Sequence, residues 1–182
     1  QEAGFEKYLE AFLPFLGQGL RNHEEHQLCT ISVGIVGDIC RALGEKATPY
    51  CETLIYALFE DLQSPVLNRG VKPHILSCFG DIVMAIGPAF EPYLQTAMAV
   101  LQQASLVQNA ADPADYEMSE YINDLREGIA EAYTGVLSGF RAANHVAPLQ
   151  PYVEFMLAFV GLVASDSANR SEALLRSTLG LL

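Results

Sequence analysis

VGIVGDIC at residues 33–40 and LSCFGDIV at residues 76–83 are one pattern written twice, 43 residues apart. At 100° per residue, Val33, Val36, Ile39, Cys40 and Leu43 fall on one side of a helix. Leu76, Phe79, Ile82, Val83 and Ile86 repeat that side in the second copy. An amphipathic helix that recurs at such a period implies a stack of paired helices, each unit burying its apolar side against the next.

Working outward, a second kind of segment alternates with this one. Tyr8-Leu9 precedes a Phe-rich run, Pro49-Tyr50 precedes CETLIYALFEDL, Pro92-Tyr93 precedes LQTAMAVLQQA, and Pro151-Tyr152 precedes VEFMLAFVGLV. The tyrosines step by 42, 43 and 59 residues. A proline in a first helical turn costs nothing, because the N–H it lacks would be unpaired there. Leu54, Ile55, Leu58 and Leu62 line one face of the second segment, and the same steps select Phe12, Leu13, Leu16 and Leu20 in the first. The third contributes Ala97, Met98 and Leu101, and the fourth Met156, Leu157, Val160 and Ala164.

The periodicity predicts outer helices over 5–20, 49–62, 90–107 and 149–165, with partner helices over 24–43, 67–86, 116–142 and from about 170. The expected fold is all-α: an α-solenoid of the HEAT/armadillo class, one array over 1–182. Its repeats fall at about 5–43, 49–86, 90–142 and 148–182, the last truncated. The third is longer, with its extra length between Ser105 and Glu127 and a loop marked by Asn109, Asp112 and Pro113. Gly34 and Gly37 sit inside a strong helical pattern and predict close approach by a neighbour, whereas Gly44, Gly70 and Gly87 read as helix ends or turns.

Composition limits what such a stack can bind. Ten Lys plus Arg against 22 Asp plus Glu give a formal charge of -12, which repels nucleic acid and anionic membrane and favours basic partners. Every 18-residue apolar run is interrupted by charge or a helix breaker, so no membrane insertion is expected. Cys29, Cys40, Cys51 and Cys78 form no CxxC pair and lie in apolar stretches, as core thiols of a reducing compartment do. His23 and His26 read as surface histidines, and the metal-binding and catalytic signatures HExxH, GxSxG, GxxxxGK[ST] and GxGxxG are absent. The expectation is therefore a binding protein with no catalytic residue, metal or cofactor. A start at Gln1 and an end inside an apolar helix pattern suggest a piece of something longer.

On the long third partner helix, Leu125, Ile129, Tyr133, Val136, Leu137 and Phe140 make the buried stripe. Glu117, Glu120, Asp124, Glu127 and Glu131 fall on the other side, spaced 3, 4, 3 and 4, with Arg126 off their centre as one cation against five carboxylates. Like charges at i,i+4 oppose a helix by a few tenths of a kcal/mol, so either water or a cationic ligand must compensate. Asp38 and Asp81 also lie opposite their apolar stripes, one repeat apart, and are expected to stack on a shared face.

Four stretches carry a resemblance beyond generic repeats: CTISVGIVGDICRALG (29–44), NRGVKPHILSCFGDIVMAIGPAFEPYLQTAMAVLQQAS (68–105), DYEMSEYINDLREGIAEAYTGVLSGF (115–140) and QPYVEFMLAFV (150–160). In order and spacing the chain resembles the importin-beta (karyopherin-beta) family of nuclear transport receptors. That resemblance implies a piece of the carboxy-terminal half of a longer HEAT-repeat superhelix. First helices would face the convex side and second helices the concave side. It places Asp38, Asp81, Glu117, Glu120, Asp124, Glu127 and Glu131 on the inner wall, where the family holds the basic importin-beta-binding segment of importin alpha and basic cargo proteins. It further implies Ran in its GTP form as a partner, mainly through repeats outside this stretch. Phe-Gly nucleoporins would dock in grooves between outer helices, with Leu9 and Phe59 as groove candidates. Shuttling between cytoplasm and nucleus through the pore complexes follows from the same likeness. The alternative is a HEAT spacer that sets curvature and touches no ligand.

Overall fold

The structure, a computed structural model, describes residue 4 and residues 6–107, 116–167 and 170–181. Asn109, Asp112 and Pro113, which the sequence marks as a loop, lie outside the described residues. Within these, the chain forms α1 (Glu6–Leu20), α2 (His26–Leu43), α3 (Thr48–Gln63), α4 (Lys72–Ile86), α5 (Glu91–Ser105), α6 (Tyr116–Ala142), α7 (Val153–Ser165) and α8 (Glu172–Leu179). No strand occurs among the described residues. Each odd-numbered helix pairs with the even-numbered helix that follows it, and the even helices also pack on one another in the order α2, α4, α6, α8. The result is a two-layer α-solenoid.

The two layers differ in how tightly they close. The contact of α4 with α6 is the most extensive in the molecule, followed by α2 with α4, whereas α3 and α5 scarcely approach each other. Glycine explains the inner layer. A Cβ built on Gly80 would lie 2.7 Å from the Glu131 carbonyl oxygen, and one on Gly135 would run into the backbone of Gly80. Gly128 faces the Pro73 carbonyl and Gly139 the Val83 carbonyl in the same manner. Two helices thus meet backbone to backbone, which only hydrogen side chains permit. Gly37 has a different neighbour, the Asp81 carboxylate at 2.5 Å from its notional Cβ. Gly34 corrects the sequence expectation: nothing comes within 4 Å of its notional Cβ, because it faces solvent one helical step away from the contact.

Gly44 and Gly87 adopt φ of 56° and 52°, a region in which other residues are strained, and end α2 and α4 there. Their N–H groups donate back to the carbonyls of Cys40 and Val83. Residues 26–63, 69–105 and 147–165 are helical stretches long and apolar enough to cross a membrane by length and composition. The glycine turns fold the first two into hairpins with their apolar sides in the core. The third, a 3₁₀ turn running into α7, buries Met156, Phe159, Val160 and Val163.

The core runs through both layers. Ile55, Leu58, Ile75, Leu76, Phe79, Phe90, Leu101, Tyr133 and Phe140 are all fully buried. Each such side chain contributes roughly 1.5–3 kcal/mol of transfer free energy. Cys29, Cys40, Cys51 and Cys78 are free and buried, and burial pushes the Cys29 thiol up to about 11. The fourth outer segment departs from its expected stripe. Met156 and Val160 are buried, but Leu157 is 53% exposed and Phe159 and Val163 complete the stripe instead. Pro151 and Tyr152 close a six-residue 3₁₀ turn (Ala147–Tyr152) before α7, so here the Pro-Tyr pair lies ahead of the α-helix rather than in its first turns.

His23 also departs from the surface reading. Its Nε2 lies 2.9 Å from Asp61 Oδ1 and its Nδ1 3.1 Å from Ser64 Oγ. The α1–α2 connection is thereby tied to the end of α3, around a carboxylate that burial raises above its usual range.

Candidate functional site

The 27-residue α6 crosses the inner layer with its glycine and apolar sides committed to α4 and the core. Its other side carries the predicted carboxylates, of which Glu117, Glu120, Asp124 and Glu131 are exposed and Glu127 half-buried. They are not equivalent. Glu131 accepts a hydrogen bond from Ser77 of α4, and Glu127 one from Ser171, 2.9 Å away, at the start of α8. Glu117 stands 3.6 Å from Arg69 in a highly exposed pair. Among the described residues no Lys or Arg pairs with Glu120 or Asp124. Burial, and then Glu120 and Glu127, push the Asp124 carboxyl above its ordinary value, with His74 opposing. This is the least compensated negative charge on the inner face.

Arg126 is not among these surface charges, contrary to the sequence reading. It is 5% exposed and pairs with Asp166 at 2.7 Å, because the α7–α8 connection folds over it. Asn123 and Glu127 tie the same connection through Ser171.

Asp38 and Asp81 do share a face, but with a cation between them. Arg41 lies 2.6 Å from Asp38 and 2.5 Å from Asp81. The space that Gly37 leaves is what admits the Asp81 carboxylate to this position. The hydrogen bonds that Arg41 donates to Asp38 and then to Asp81 raise its pKa. Arg41 offsets one of these two negative charges within the molecule.

Two adjoining cavities open along this face. One, of about 350 Å³, is lined by Pro73, His74, Asp124, Glu127, Gly128 and the shared pair Ser77 and Glu131. The other, of about 440 Å³, continues from Ser77 and Glu131 to Met84, Thr134 and Arg176, floored by Gly80 and Gly135. The sequence reading missed Ser77, Met84, Thr134 and Arg41. The signal for the close α4–α6 crossing was present in Gly128, Gly135 and Gly139, spaced 7 and 4 on one helix face.

On the outer side, Leu9 must be withdrawn as a groove residue: it is fully buried where α1 packs on α2 and α3. Position on an outer helix says nothing about which way a side chain turns. Phe59 is 8% exposed, packs on Phe79 at 5.0 Å between ring centres, and lines a cavity of about 330 Å³ with Leu62, Val100, Val107 and Tyr121. That cavity fills the gap where α3 and α5 fail to meet. Among the described residues no group of three or more His, Cys, Asp or Glu side chains is placed to hold a metal.

Stacked helical hairpins form a repeat scaffold of the HEAT type, a class that works by presenting extended surface. The family model described as importin subunit beta-1-like, TPR repeats, matches residues 1–182. The chain belongs to the importin beta family. It is 48% identical over 181 residues to importin subunit beta-1 of Schizosaccharomyces pombe, covering 100% of this chain and 21% of that protein. Against importin subunit beta-1 of Arabidopsis thaliana the identity is 42%, covering 98% and 20%. A crystal structure of importin beta in a polyethylene glycol condition superposes with a TM-score of 0.93 at 45% identity, over 99% of this chain and 21% of that one. The Kap95:Nup1 complex contains a chain similar at a TM-score of 0.88 and 32% identity, over 98% and 20%. The chain therefore spans about a fifth of the length of its relatives.

Proposed function

We propose that this segment lines part of the concave wall of a nuclear transport receptor and receives a basic helix there, the adaptor importin alpha's basic segment or a basic stretch of cargo. The observation that carries this reading is the uncompensated pair Glu120 and Asp124, one turn apart on α6 beside an open cavity. Exposed charge pairs contribute only about 0–1 kcal/mol each. In a concave groove they add steering and register to that. Glu117, Glu127, Glu131, Asp38 and Asp81 supply the surrounding field, damped by their own partners. Shuttling between cytoplasm and nucleus belongs to the same reading. So does release by Ran in its GTP form through repeats outside this chain; a Kap95p structure with RanGDP includes a region 33% identical to it.

The test uses the full-length receptor carrying Glu120→Gln and Asp124→Asn, which spares the serine-bonded Glu127 and Glu131. Calorimetry with the adaptor's basic segment at two salt concentrations is expected to show about a tenfold loss, equivalent to ~1.4 kcal/mol, and a flatter salt dependence. Helicity stays as it was, because like-charge repulsion rather than packing is removed. Unchanged affinity and salt slope would leave the spacer reading standing.

A second reading concerns the outer layer. The cavity at Phe59 lies between α3 and α5, its apolar side chains interleaved with Gln63, Lys72 and Gln103, and its candidate occupant is the Phe side chain of a nucleoporin Phe-Gly repeat, a reading in line with a relative solved with Nup1.

A further inference from the structure

Two Ser/Thr-Pro pairs occur in the chain, Thr48-Pro49 and Ser64-Pro65, and neither enters the inner-wall or the outer-slot reading. The fold treats them differently. Thr48 opens α3 with φ -46° and ψ -45°, already helical, and its hydroxyl donates to the Glu45 carbonyl at 2.7 Å. Ser64 follows the end of the same helix with φ -69° and ψ 125°, the extended conformation that a succeeding proline favours. Pro65 and Val66 beyond it are exposed, in the connection 64–68 that leads to the 3₁₀ turn (Arg69–Val71) before α4. Protein kinases take the acceptor residue in an extended segment. Of the two pairs, only Ser64-Pro65 is presented in that form.

The Ser64 hydroxyl also has a structural task. Asp61 Oδ1, a carboxylate oxygen that only accepts, lies 2.9 Å from His23 Nε2, so that ring nitrogen carries a proton. In the neutral ring Nδ1 is then an acceptor, and Ser64 Oγ–H donates to it at 3.1 Å. Asp61 is 2% exposed, and its Oδ2 has no hydrogen-bond partner among the described residues. The α1–α2 connection is thus held to the end of α3 by a relay of hydroxyl, imidazole and buried carboxylate. Beside it Glu24, Glu25, Glu60 and Asp61 outnumber Arg21, which stands 4.0 Å from Glu60.

We infer that Ser64 is a phosphorylation site for a proline-directed serine/threonine kinase, and that its modification releases the α1–α2 connection from α3. The γ-phosphoryl group of ATP passes to Ser64 Oγ: the O–H bond breaks, the O–P bond forms, the proton goes to the kinase's base and ADP leaves. A hydroxyl donor is thereby replaced by acceptor oxygens carrying about two negative charges. They face the Nδ1 lone pair of His23 and stand one turn from the buried Asp61. They also sit at the C-terminal end of α3, where the helix dipole disfavours an anion. All three effects oppose the relay. The result is a modifiable joint between the first two hairpins, α1–α2 and α3–α4.

The experiment incubates the full-length receptor with ATP and a cyclin-dependent kinase as the proline-directed probe, and locates phosphate by tandem mass spectrometry. Phosphate is expected on Ser64, lost in Ser64→Ala and retained in Thr48→Ala. No phosphate on Ser64, or phosphate on Thr48 in its place, overturns the site. Hydrogen exchange at neutral pH then compares the phosphorylated and unmodified receptors. Amides of residues 21–26 are expected to exchange about tenfold faster with the phosphate in place, as local opening of that connection requires. His23→Ala, which cuts the same relay without adding charge, is expected to speed them as well. Unchanged or slower exchange on phosphorylation means that Arg21 and His23 capture the phosphate, and overturns the release.

Discussion

The inner contact between α4 and α6 and the outer gap between α3 and α5 are two solutions to stacking the same kind of hairpin. Inside, glycines at 80, 128, 135 and 139 remove side chains and the backbones touch. Outside, Phe59, Leu62, Val100 and Val107 keep theirs, and the helices stand off around a cavity. The contrast shows where a solenoid of this kind places its rigidity and where it leaves room. The close inner crossing holds the α6 carboxylates in a defined register, and the loose outer layer offers apolar edges. On the proposed reading, a wall that carries charge for a partner uses the first arrangement, and a shallow slot for a ring uses the second.

The largest expected effect comes from breaking the inner contact. Gly135→Val drives methyl groups into the Gly80 backbone, which has no rotamer by which to yield. The cost should be on the order of 3 kcal/mol of unfolding free energy in a denaturant titration. A loss below about 1 kcal/mol would mean that the layers are equally compliant. Gly34→Ala sharpens the same comparison from the opposite side, since its notional Cβ meets nothing. There the helix propensity of alanine should raise stability by about 0.5–1 kcal/mol. A destabilisation would reveal a neighbour in the longer protein. The smallest effect belongs to the outer slot. Val100→Asp in the full-length receptor should weaken a Phe-Gly peptide about threefold in an NMR titration, ~0.6 kcal/mol, because one ring in a shallow groove contributes little and such ligands act through many repeats. Perturbation confined to inner-helix resonances would remove the slot from consideration.

Much of this was legible in the chain itself. The recurrence at 43 residues, the Pro-Tyr starts and the 3.6 periodicity locate every helix to within a few residues. They also identify the acidic side of α6, because a helix wheel needs nothing but spacing. The errors share one physical origin. Leu9, Arg126 and His23 are each decided by what a neighbouring segment brings to them, and Gly34 by the absence of any neighbour. Leu9 is covered by the packing of α1 on α2 and α3. Arg126 is covered by Asp166 and His23 by Asp61, partners 40 and 38 residues away.

Sequence alone thus determined the all-helical stack, its period and the surplus of negative charge, since local backbone preference and apolar spacing act within one or two turns. Only the tertiary structure decided which of seven carboxylates stay uncompensated. Ser77, Ser171, Arg69 and Arg41 reach Glu131, Glu127, Glu117, Asp38 and Asp81, most of them across a helix–helix contact, and leave Glu120 and Asp124 to the solvent side. The physical reason is range. Hydrogen bonds and ion pairs act over about 3–4 Å, and which groups come that close depends on how near the helices approach, which at this crossing depends on four glycines.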